Sequence, residues 1–227
     1  MNQTLFYILI LVVMGAGALV QMLLKSRFNK YGQVRLASGL TGRQVAEKML
    51  RDNGIYDVQV ISTPGSLTDH YNPANRTINL SEPVFDSNSV AAAAVAAHET
   101  GHAIQHALGY APLKLRSALV PVVSFSSNIV QWVLLGGILL INIFPQLLLI
   151  GIILFAVTTL FSFVTLPVEI DASSRALTWL ERSGITTSEQ QPMASTALRT
   201  AAYTYVAAAI GSLVTLLYYI SIFTSRR

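Results

Sequence analysis

The sequence predicts a mainly α membrane protein, with about four transmembrane helices and a small cytoplasmic α+β unit. Three observations carry that expectation. First, 52% of the 227 residues are hydrophobic and only 11% are charged, against about 25% charged in an ordinary soluble domain. Second, no charged side chain occurs in residues 1–24, 117–168 or 200–225. Third, the positive charges fall mainly in the segments between those blocks.

A helical span needs about 20 apolar residues. The terminal blocks fit one span each and the 52-residue middle block fits two, which places spans at about 4–24, 118–143, 146–166 and 201–223. The resulting division is 1–24 (first span), 25–117 (cytoplasmic segment), 118–166 (spans two and three), 167–200 (second cytoplasmic segment) and 201–227 (fourth span and tail). The first span reads as an uncleaved anchor. Met1 to Thr4 holds no Lys or Arg, whereas Lys25, Arg27 and Lys30 follow the apolar run, the reverse of a secretory signal.

Lys25, Arg27, Lys30, Arg35, Arg43, Lys48, Arg51, Arg76, Lys114 and Arg116 lie between spans one and two, and Arg175, Arg182 and Arg199 between spans three and four. Four spans put both segments on one face, which the positive-inside rule makes cytoplasmic. The tail residues Arg226 and Arg227 then lie outside, a mild violation. The net charge of +4 is thus a topology signal. With no basic stripe of interleaved aromatics, nucleic-acid binding is not expected. There is no cysteine, so any metal must be held by His and carboxylate.

Within 25–117, Thr41 could cap a helix over 42–52, ended by Asn53-Gly54. Residues 55–62 alternate as a half-buried strand, Thr63-Pro64-Gly65 is a turn, and 67–71 and 76–80 read as two further strands. Asp86-Ser87-Asn88-Ser89 offers N-cap candidates for an alanine-rich helix over about 90–108, expected to be buried. Residues 167–182 read as a helix and 183–192 as a polar loop. Asn128 and Gln131 in the second span are expected to face the bundle.

His98-Glu99-Thr100-Gly101-His102 lies on the alanine-rich helix. Residues four apart share a face, so both imidazoles can meet one ion, with Glu99 beside them as a base for a water molecule. A catalytic zinc usually takes three protein ligands. His106 is unsuited, being eight residues and about 12 Å from His98 along the helix; a partly exposed or supporting place is expected for it. His70 and Glu169 remain candidates. Spacing alone leaves Glu169 and Asp171 divided between metal-site roles and plain helix N-terminal acids. Asp171 is expected to support an imidazole N–H. His70, Tyr71, Arg175 and Tyr203 are candidate oxyanion donors.

The motif His98 to His102 with Ala103-Ile104-Gln105, and the upstream Tyr71-Asn72-Pro73, Arg76-Thr77 and Leu80-Ser81, resembles the YugP-type neutral zinc metallopeptidases of bacterial membranes, over nearly the whole chain. Glu169-Ile170-Asp171-Ala172 is also similar to the second motif of the wider zincin-like group containing HtpX and the CAAX prenyl proteases. There the glutamate is the third zinc ligand and an aspartate follows the alanine; this chain has Ser173 at that place. The resemblance implies a Zn2+ peptidase with ligands His98, His102 and Glu169. It implies hydrolysis of peptide or protein substrates, membrane proteins among them. It further implies a substrate strand at Arg76, Thr77, Ile78 and Asn79 that adds peptide by β-augmentation. The alternatives are a non-catalytic zinc-binding scaffold, against which Glu99 argues, and a transporter, against which spans without ionisable residues argue.

Overall fold

The computed structural model describes residues 3–225; Met1, Asn2 and the tail residues Arg226 and Arg227 lie outside the described residues. The order is α1 Gln3–Gly32, α2 Gly42–Asp52, β1 Gln59–Thr63, β2 His70–Asn72, β3 Thr77–Ser81, α3 Glu82–Phe85, α4 Val90–Ala107, α5 Ala111–Leu139, α6 Pro145–Arg182 and α7 Gln191–Thr224. Helices α1, α5, α6 and α7 are long and apolar enough to cross a membrane. Each extends past its expected span at one end at least, although α5 stops at Leu139, short of the expected 143. α6 does not break at Pro167, which sits inside the helix. A proline costs a helix one hydrogen bond, and an element of 38 residues keeps its course on the remainder.

The chain forms two compact units. The first comprises residues 1–20, 114–166 and 204–227. Its core is Val130 and Leu134 of α5 against Leu148 and Ile152 of α6, with Phe155 and Tyr219 beside them. Glycines let these backbones meet: a Cβ on Gly137 would lie 2.6 Å from the Leu148 Cα, the close approach that helix pairs in lipid rely on in place of a hydrophobic drive. The hydroxyls of α6 turn inward. Thr158 and Thr159 donate to the Phe155 carbonyl, and Ser162 meets Ser212 of α7 at 3.1 Å.

The second unit comprises residues 21–113 and 167–203. Thr41 caps α2 in a reciprocal capping box with Gln44, which satisfies two otherwise orphaned donors. The strands form a sheet in the order β1-β3-β2. β1 pairs parallel with β3, Gln59 opposite Thr77, and β2 antiparallel with β3, His70 opposite Asn79. Ser89 is the N-cap of α4, accepting from the Ala92 N–H at 3.2 Å. The alanines of α4 are buried against Val45, Met49 and Leu50 of α2, Ile78 and Leu80 of β3, and Ala176 and Leu180 of α6.

Candidate metal centre

The second unit brings α4 against the last turns of α6 at one very short contact. A Cβ on Gly101 would lie 2.7 Å from the Ala172 carbonyl oxygen and 3.1 Å from its Cα. No side chain separates the two backbones there, so groups one turn away on either helix come within bonding range. His98 and His102 leave α4 towards α6, and Glu169 leaves α6 towards them.

The Nε2 atoms of His98 and His102 lie 3.2 and 3.6 Å from the same Glu169 oxygen, Oε2. One ligand atom from each residue falls within 4.8 Å of the others. Donors about 2.0–2.1 Å from a tetrahedral zinc stand about 3.3 Å apart, which matches both measured edges. Two imidazoles and one carboxylate are also the donor set of a catalytic zinc site with its fourth position open. His102 and Glu169 are buried and His98 is nearly so. The residues present therefore fit the ion.

Behind the candidate ligands, each imidazole is held by its other nitrogen. His98 Nδ1 lies 3.1 Å from Ser173 Oγ, so a serine hydroxyl holds that ring. His102 Nδ1 lies 3.0 Å from Gln105 Oε1. Gln105 is wholly buried, and its Nε2 donates to the Val168 carbonyl and to Asp171 Oδ2, both at 2.8 Å. Asp171 in turn accepts from Arg175 Nε at 2.6 Å. Asp171 thus supports His102 through Gln105, where direct contact was expected. Burial, the largest influence on His102, pushes its pKa down, but the Glu169 hydrogen bond and the charges of Glu99 and Glu169 outweigh it and the net shift is upward.

Glu99 is buried and accepts from the Tyr71 backbone N–H at 3.0 Å through Oε2. Glu99 is therefore pinned to β2 by one oxygen, leaving Oε1 unengaged by that bond. Tyr71 also reaches down α4, its hydroxyl 2.7 Å from His106 Nδ1. His106 is exposed, outside the metal group, and serves that contact. His70 bonds the Thr68 carbonyl and is exposed, so it joins no ligand cluster. Among the remaining oxyanion candidates, Arg175 is engaged by Asp171 and Tyr203 is exposed.

The expected substrate strand needs correction. Thr77, Ile78 and Asn79 lie on β3, the central strand, with β1 on one side and β2 on the other. Its backbone groups are already paired, so no peptide can be added there. Arg76 lies before it at φ 52° and pairs with Asp57. The Asn79 amide donates to the His70 and Thr77 carbonyls. The structure brings the expected ligands His98, His102 and Glu169 together, whereas sequence reasoning gave Gln105 and Ser173 no part in holding the imidazoles. The available signals were spacings: Gln105 is three residues past His102 and Ser173 four past Glu169, each one turn along its helix.

The comparisons agree with this geometry. Residues 6–224 match the family described as "Putative neutral zinc metallopeptidase". The chain is 43% identical over 223 residues to the "Putative membrane protease YugP" of Bacillus subtilis (strain 168), covering 98% of both chains. No solved structure matches it. A match spanning almost every described residue, on a chain whose two histidines and glutamate converge, makes this protein a member of the neutral zinc metallopeptidase family.

Proposed function

We propose that this chain is a zinc-dependent endopeptidase that hydrolyses peptide bonds at the cytoplasmic face of a bacterial membrane. The observation that carries the reading is the convergence of His98, His102 and Glu169 with the buried carboxylate of Glu99 on the same helix. Zinc held there supplies Lewis acidity to a water molecule and to the scissile carbonyl. Glu99 takes a proton from the attacking water as the new C–O bond forms, and passes it to the amine as the C–N bond breaks. The Tyr71 N–H, bonded to Glu99 Oε2, restricts the carboxylate to one orientation, so Oε1 is the atom that carries the proton. The lysines and arginines flanking the apolar blocks support the cytoplasmic assignment.

The test is cleavage of a casein-like substrate by the purified protein, with a chelator control. Glu99→Gln is expected to keep the metal and lose about 10²–10⁴-fold in turnover, the usual worth of a general base. Glu169→Ala is expected to lose zinc by elemental analysis. Metal retained by the wild type with no cleavage of any substrate would favour the scaffold reading.

A further inference from the structure

The second membrane-spanning helix of the first unit carries its polar residues on the wrong side for a lone chain. Ser124, Asn128 and Gln131 of α5 are exposed, and neither amide has a hydrogen-bond partner among the described residues. The expectation that they face the bundle is thus overturned: the buried face of α5 is Ser126, Val130 and Leu134. The interior of α6 and α7 behaves in the opposite way. Thr158, Thr159, Ser162, Thr165 and Ser212 are buried or half-buried and bonded within the unit. In α1, residues 5–20 include no amide, and the Tyr7 hydroxyl meets Tyr218.

Ser117, Pro121, Ser124, Asn128, Gln131 and Leu135 follow one another at steps of four and three. That is the seam of a helix pair supercoiled at 3.5 residues per turn. Pro121 has no N–H, so the Ser117 carbonyl on the same stripe has no donor four residues on. The hydrocarbon core offers no water to these groups, and interhelical bonds from Ser, Asn and Gln are what satisfy them there.

We propose that this seam is covered by α5 of a second copy of the chain. All copies insert in one direction, so two α5 helices related by a two-fold run parallel and present like positions to each other. A seam that meets itself must be self-complementary. Hydroxyl and carboxamide groups each hold both donor and acceptor, so Ser124, Asn128 and Gln131 can each bond their own counterpart, which no carboxylate or ammonium could do. A single asparagine in such a seam is the established device for fixing register in parallel pairs.

The chain contains no cysteine, which makes the test direct. Single cysteines are introduced at 124, 126, 128, 130, 131, 133 and 135 of the full-length protein and oxidised in native membranes. Dimer yield is expected to peak for Ser124→Cys, Asn128→Cys, Gln131→Cys and Leu135→Cys and to be several-fold lower at the other three, tracing a 3.5-residue period. In a Leu135→Cys background, Asn128→Leu with Gln131→Leu is expected to abolish most of the cross-link while the detergent-solubilised protein keeps its melting temperature. Absence of dimers at every position overturns the proposal. So do maxima at 126 and 130, adducts to a different protein at 128, or a cross-link indifferent to the double leucine variant.

Discussion

Gln105 has no freedom of orientation. Both of its N–H groups are taken, one by the Val168 carbonyl and one by Asp171, so only Oε1 can face His102. A carbonyl oxygen accepts, which forces the proton of a neutral His102 onto Nδ1 and leaves the Nε2 lone pair for the ion. Partners of this kind are typically worth 10–100-fold in metal affinity. Gln105→Leu, close in volume and unable to bond, is therefore expected to weaken zinc binding by about 10–100-fold in chelator competition. Gln105→Glu is expected to do no better, since a carboxylate cannot donate to Val168 and repels Asp171. An unchanged affinity for both would mean that the ring is oriented by packing alone. Ser173 does the corresponding duty for His98 with a neutral hydroxyl. Ser173→Ala should shift zinc affinity in the same direction and Ser173→Asp, the wider group's residue, should not lower it.

At the scale of elements, the centre depends on how closely α4 and α6 approach. Gly101→Ala puts a methyl 2.7 Å from the Ala172 oxygen, which is backbone and cannot swing aside. Overpacking of this kind costs about 1–3 kcal/mol, and here it also parts His98 and His102 from Glu169. The variant is expected to melt earlier and to retain less zinc; normal zinc content would show that the centre tolerates a wider helix spacing. Much of this layer was legible in the sequence. The charge-free blocks foretold all four long helices, Thr41 and Asn53 bracketed α2, and the Ser89 cap began α4. What was not legible depends on non-local pairing. β3 lies in the middle because 77–81 finds 59–63 on one side and 70–72 on the other, and no residue of 76–80 signals its neighbours. The extension of α1 to Gly32 and the start of α7 at Gln191 were hidden for a related reason: outside the apolar stretch, tertiary packing keeps the chain helical, as at Tyr31 and Ala197; 167–182 did read as a helix, and only its continuity through Pro167 was unforeseen.

At the scale of the whole molecule, the ligand set constrains topology independently of charge. His98 and His102 come from segment 25–117 and Glu169 from 167–200, so those segments must share a side of the membrane. That requires an even number of crossings between them, which α5 and α6 supply. Thirteen of the fifteen lysines and arginines lie in the same two segments, which by the positive-inside rule supports the proposed cytoplasmic side. Because the chain has no cysteine, a membrane-impermeant maleimide can check each step. Ser66→Cys and Ser188→Cys, both at exposed loop positions, should label only after the cells are permeabilised. Asn142→Cys, exposed between α5 and α6, should label in intact cells. A complete reversal would move the centre to the outer face and leave its chemistry intact. Opposite behaviour of the two serine sites would be more damaging, since an odd number of crossings cannot deliver Glu169 to the side where the histidines are.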